Sequence, residues 1–416
     1  MTDDASGFTP DEVGRAHRIA RQSRLLMIAV LVVLVAVWTP IILWLNSWHE
    51  THARSVPWWQ QVLLYGLIML GLIETVRAGW PWLRVVVLGR RNDLGQRAGA
   101  PLARALLVGA VLRVVVALFV VLVVWWFARR SEWGWLAVAP IVLAVNVGLS
   151  VGFLRQFRWM YRLRPLEDPR CSAMLRELYG DRLDGVSTWV VATSGIGPQV
   201  NGGVGPAGFR RRALFLFDTA LALPDDQLRA LLAHEVGHLA LGHVPRRFAA
   251  IGGLSAVVAL GALALAPASP FVGAERAAWN EGAYVVAPPG TEVPPGLTFV
   301  PVDDPRTDQM TGWLVDVPVR GLPLLVVDFV WLWLVGNAVV AIVVTLRLSR
   351  RQERAADAFA LDHTQDPAGF EALIHSITVA SGQQPSNRAL SGLGCSHPAP
   401  ADRIRLAREW TGHLDG

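Results

Sequence analysis

Long apolar runs alternate with arginine-rich polar connections along most of this chain, and that alternation predicts its main elements. A membrane-spanning helix needs about 20 mostly apolar residues. Six stretches meet the test: Leu25–Leu45, Val62–Ala78, Ala105–Phe127, Trp135–Leu154, Phe248–Ala266 and Leu322–Leu346, the second being the shortest. The residues before the first run are polar and the run itself is long, so it is expected to stay in the bilayer and not to act as a cleaved signal peptide.

Flanking charges orient these spans. Arg15, Arg18, Arg21 and Arg24 precede the first, and Arg84, Arg90, Arg91 and Arg97 lie between the second and third. Arg155, Arg158, Arg162 and Arg164 follow the fourth, Arg246 and Arg247 precede the fifth, and Arg347, Arg350, Arg351 and Arg354 follow the sixth. The alternate connections are poor in arginine, and the longest, about 267–321, is acidic (Glu275, Glu281, Glu292, Asp303, Asp304, Asp308, Asp316). Every connection agrees with one topology: both termini cytoplasmic and the acidic loop outside.

Four regions follow. Residues 1–154 form a four-span membrane region, 155–247 a cytoplasmic piece, 248–346 a two-span hairpin with its outer loop, and 347–416 a second cytoplasmic piece. Each cytoplasmic piece is small for an independent core, so the two are expected to combine into one domain at the membrane surface.

Composition agrees. Hydrophobic residues make up 53% and charged residues only 17%, too little polar surface for a soluble chain of this size. Several of the 18 tryptophans, among them Trp38, Trp44, Trp58 and Trp125, border apolar runs as interfacial anchors do. The net charge of +5 is carried entirely by arginine. These arginines sit at the ends of apolar segments, which topology explains and a nucleic-acid footprint does not. Cys171 and Cys395 provide neither a disulfide framework nor paired metal-ligand spacing, in keeping with a reducing compartment.

Within the first cytoplasmic piece, Val186–Thr193 and Ala213–Leu221 read as strands. Between them, Asn201-Gly-Gly-Val-Gly-Pro reads as a turn; it lacks the lysine of a phosphate-binding loop and does not open onto a helix. From Pro224 the chain runs Pro-Asp-Asp-Gln-Leu-Arg-Ala-Leu-Leu-Ala-His-Glu-Val-Gly-His-Leu. Proline followed by two acidic residues is a helix entry signal, and Leu228, Leu231 and Leu232 give that helix an apolar face. His234 and His238, four apart, project from one side and can reach one metal ion, with Glu235 placed to take a proton from a metal-bound water. Two histidines at this spacing can arise by chance, but here they sit on a capped helix near the membrane with a carboxylate pair downstream.

His243 does not fit a third-histidine pattern: nine residues of continuous helix would turn it away from His234, making it an interfacial or capping residue. The third ligand is expected after the sixth span, in Ser349-Arg-Arg-Gln-Glu-Arg-Ala-Ala-Asp-Ala. There Glu353 and Asp357 share a helical face, so one carboxylate can bind zinc while the other orients a ligating histidine.

These segments, followed by Ser396-His397-Pro398 and Arg403-Ile404, resemble the HtpX and CAAX prenyl protease type I group over roughly residues 160–410. The resemblance implies His234, His238 and Glu353 as ligands of one catalytic zinc ion, and Glu235 as catalytic base. It further implies Asp357 as support behind a ligand, His397 as an aid to oxyanion stabilisation, and Arg403 as structural. The family carries Asn-Ala on the strand that pairs with substrate, whereas here Asn201 is followed by two glycines.

The expected fold is a mainly α, polytopic membrane protein with a zincin-like α+β metalloprotease domain on the cytoplasmic face of the cell membrane. The expected activity is zinc-dependent hydrolysis of peptide bonds in misfolded or specific membrane-associated proteins. The partners would be protein or peptide substrates and the bilayer, with no nucleic acid. The alternatives are a sensor-transducer protease responding to an outer ligand and a non-catalytic scaffold. Polar residues within the spans (Arg113, Asn146, Asp328, Asn337) suggest an interhelical pair between Arg113 and Asp328.

Overall fold

The computed structural model describes residues 7–52, 58–92, 94–95, 99–130, 138–208, 211–265, 283–287, 297–301, 346–386 and 397–411. The N-terminal helices are α1 (Pro10–His52), α2 (Trp58–Leu83) running into a π-helical turn at Arg84–Gly89, α3 (Ala100–Arg130) and α4 (Val138–Val151). α8 (His243–Leu265) joins them later in the chain. Among the described residues, three stretches are long and apolar enough to cross a membrane: Pro10–Ile41, Ala100–Val120 and His243–Gly261. On α3, Leu107, Val111, Val115 and Phe119 form an exposed stripe at four-residue spacing, the surface a helix presents to lipid. Asp328, Asn337 and nearly all of the sixth expected span lie outside the described residues. The acidic loop does too, apart from strands β5 (Ala283–Ala287) and β6 (Leu297–Pro301), which pair in parallel.

Asp328, the expected partner of Arg113, lies outside the described residues, and Arg113 has a partner on α2. Arg113 lies against Glu74 of α2, donating from Nε to Oε1 at 2.7 Å and from a terminal nitrogen to Oε2 at 2.6 Å. A guanidinium at this depth needs a carboxylate, and the neighbouring helix supplies one as a two-pronged pair.

Below the membrane helices, the short amphipathic α5 (Phe153–Met160) lays Phe153 and Phe157 on Phe215 of a four-stranded sheet. Its strands are β1 (Leu163–Pro165), β2 (Val186–Val191), β3 (Gly202–Pro206) and β4 (Arg212–Phe217), in the order β1-β2-β4-β3. β2 and β4 are parallel, while β1 and β3 run antiparallel to their neighbours. The segment read as a glycine turn is therefore an edge strand. Glycine has low strand propensity, but the ladder from Gly202↔Leu216 to Pro206↔Arg212 overrides it.

The sheet packs on α6 (Pro169–Tyr179) and α7 (Asp225–Ala240); α7 in turn packs on α9 (Leu346–Thr364) and α10 (Pro367–Ser381), both of which meet α11 (Pro400–Thr411). One core joins residues of 155–247 and 347–416: Leu175, Leu214, Leu228 and Leu232 from the first meet Leu361, Phe370 and Ile404 from the second. α7 and α9 approach closely because of Gly237. A β-carbon there would lie 3.2 Å from the Ala356 α-carbon and 3.1 Å from the Phe359 ring. That approach sets Glu353 opposite the two histidines.

Candidate functional site

α7 begins as the sequence predicts, with Asp225 and Asp226 in its first turn and Leu228, Leu231 and Leu232 buried. The same helix carries His234, Glu235 and His238, and α9 carries Glu353 and Asp357 across from them. The Nε2 atoms of His234 and His238 are 3.2 Å apart. Glu353 faces both, with Oε2 3.4 Å from His234 Nε2 and Oε1 3.6 Å from His238 Nε2. Metal bonds of about 2.0–2.2 Å to imidazole and carboxylate give tetrahedral edges of about 3.3–3.6 Å, so these three ligand atoms are spaced to hold one divalent cation.

The surroundings shift the three groups in different directions. Burial alone would lower the His234 pKa, but hydrogen bonding to Asp357 and Glu353 outweighs it and raises the pKa to about 10. Burial opposes ionisation of Glu353 as well, yet contact with His234 and His397 holds it well below the usual carboxylate range. His238 is pushed down to about 3 by burial and by His234.

Each histidine is backed by a different group. Asp357 Oδ1 lies 2.9 Å from His234 Nδ1, and buried Asp357 is itself gripped by Arg403 through bonds of 2.9 and 2.5 Å. Behind His238 stands His243, buried, with the two Nδ1 atoms 2.9 Å apart. This corrects the expectation that His243 faces away. α7 does not continue: Gly242 adopts a left-handed φ of +65° and turns the chain, and His243 opens α8 against His238. His243→Ala is expected to weaken metal binding by about 10–100-fold with little loss of fold, measured by competition with a chelator.

Glu235 is 5% exposed, and burial pushes its pKa up to about 7, near that of a working general base. It lies beneath edge strand β3, where a β-carbon on Gly202 would come within 2.9 Å of its Cγ and Oε1. His397 reaches the cluster from just before α11, its Nδ1 2.6 Å from Glu353 Oε2. All these residues except Asp357 line a cavity of about 700 Å³, together with Arg84, Phe153, Arg247, Phe248 and β3. His243, Arg84 and Arg247 were missed as site residues in the sequence; their nearness to apolar runs marks them there only as topology signals.

Residues 189–411 match Peptidase family M48. The crystal structure of S. mikatae Ste24p superposes with a TM-score of 0.66 at 15% identity, covering 96% of this chain and 89% of that one. No curated protein sequence matches it significantly. With its His-Glu-x-x-His helix, facing glutamate and apolar helices, the chain belongs to peptidase family M48, a family of metallopeptidases, on a fold shared with Ste24p.

Proposed function

We propose that this protein is a zinc metalloendopeptidase that cleaves extended segments of membrane-associated proteins at the cytoplasmic surface of the membrane. The observation that carries this reading is the convergence of His234, His238 and Glu353 beside buried Glu235, directly under the edge strand β3.

His234, His238 and Glu353 would hold the zinc ion. When bound, zinc supplies a Lewis acid and lowers the pKa of its water to about 7. Glu235 accepts the proton from the attacking water and passes it to the leaving amine. Asp357 fixes the ring of His234 and His243 fixes that of His238, so both keep Nε2 toward the ligand cluster. Arg403 holds Asp357 ionised and in place. His397, half exposed beside Glu353, is the group available to meet charge developing on the scissile carbonyl oxygen.

β3 pairs with β4 on one side, and substrate adding along its other edge would pass over Glu235. Gly202→Val, which forces a branched side chain into Glu235, is expected to lower kcat/KM by at least about 100-fold with metal content unchanged, read from peptide cleavage and zinc analysis. The cytoplasmic placement rests on the arginines that flank the spans on the side of the cluster, including Arg84, Arg247 and Arg350. The test of this function compares wild-type protein and Glu235→Gln on an unstructured peptide. Equal cleavage by both would remove the assignment.

A further inference from the structure

Resting on the proteolytic reading above, we propose that the cleft selects membrane-anchored substrates carrying an acidic residue between the scissile bond and the anchor. α8 supplies the geometry. Its first residue, His243, touches His238 at 2.9 Å, so the membrane-crossing stretch His243–Gly261 begins at the candidate metal centre itself. His243, Arg247 and Ile251 follow at four-residue intervals and therefore share one face; all three line the cleft. A helix rises about 1.5 Å per residue, which puts Arg247 about 6 Å and Ile251 about 12 Å beyond His243 toward the bilayer. An extended peptide covers about 3.3 Å per residue. A chain leaving the metal centre thus reaches the level of Arg247 after about two residues and Ile251 after about four.

The chemistry of that path changes with depth. Arg84, at the start of the π-helical turn after α2, joins Arg247 in lining the cavity, and among the described residues neither forms an ion pair. Arg403 also lines the cavity, but Asp357 neutralises it. The cavity's carboxylates do not serve the other two arginines: Glu353 faces the histidines and Glu235 is buried beneath Gly202. Farther in, Phe248 and Ile251 are each 37% exposed. Cations followed by an apolar stretch complement a peptide whose carboxylate precedes a hydrophobic anchor. The arginines line the cavity that holds the ligand cluster, which favours a peptide carboxylate over a lipid headgroup as their partner.

The test uses the full-length protein in zwitterionic vesicles with membrane-tethered peptides that differ only by Asp, Asn or Lys, placed two or three residues from the cleaved bond toward the anchor. Wild-type protein is expected to favour Asp over Lys by about tenfold or more in kcat/KM. Arg247→Glu, alone and with Arg84→Glu, is expected to invert the ratio; the ratio is the readout, and Arg247→Gln, expected to flatten it, guards against misfolding of the charge-reversed forms. An Asp/Lys ratio near one in wild type, or one unmoved in all variants, would overturn the proposal. So would a wild-type preference abolished by anionic lipid, which would assign the arginines to headgroups. If no peptide is cleaved more by wild type than by Glu235→Gln, the proteolytic reading fails. Cleavage that depends on Glu235 but ignores charge removes only the specificity.

Discussion

Glu235→Gln is expected to lower peptide hydrolysis by about 10²–10⁴-fold while leaving zinc content and folding intact. The carboxylate is 5% exposed and burial raises its pKa to about 7, so the fold already disfavours its charged form. Glutamine has the same shape and does not ionise, so it removes the proton acceptor without burying a new charge. Thermal unfolding of the variant should occur at or above the wild-type temperature. A variant that loses activity because it loses metal or unfolds would show that Glu235 acts as a structural group and not as the base. Glu235→Gln is therefore also suited to trapping substrates in membranes.

Glu353→Ala is expected to remove zinc from the purified protein and abolish hydrolysis. Losing one of three protein ligands should weaken binding by more than the about 10–100-fold typical of losing a group behind a ligand. Glu353 is 4% exposed and packs against His234 and His397, so alanine also leaves a void. Glu353→Gln keeps the volume while removing the charge and serves as the control for folding. In both variants the Asp357–Arg403 pair, which does not touch Glu353 directly, should keep α9 docked on α11. Retention of zinc by both would point to a different third ligand.

What the sequence disclosed followed the range of each interaction. The α7 helix was legible because its entry signal, apolar face and His-Glu-x-x-His spacing are all local. Glu353 and Asp357 were legible as a pair, since the positive-inside pattern returns them to the side of the histidines. His243 was misjudged because a helix was extrapolated through Gly242, whose left-handed turn ends it. The glycine segment at 202–206 was read as a turn because strand formation there depends on β4, not on local propensity. Glu74 was missed as a partner of Arg113 because it lies 39 residues away inside the second expected span, and the sequence does not show which faces of two spans meet. The close approach at Gly237, which sets the spacing of the whole cluster, exists only once α7 and α9 are packed together.

The most direct measurement is zinc per chain in wild type, Glu235→Gln and Glu353→Ala, with cleavage of one unstructured peptide by the same samples. The account predicts about one zinc in the first two, almost none in the third, and cleavage by the wild type alone. A full zinc complement and undiminished cleavage in Glu353→Ala would contradict it.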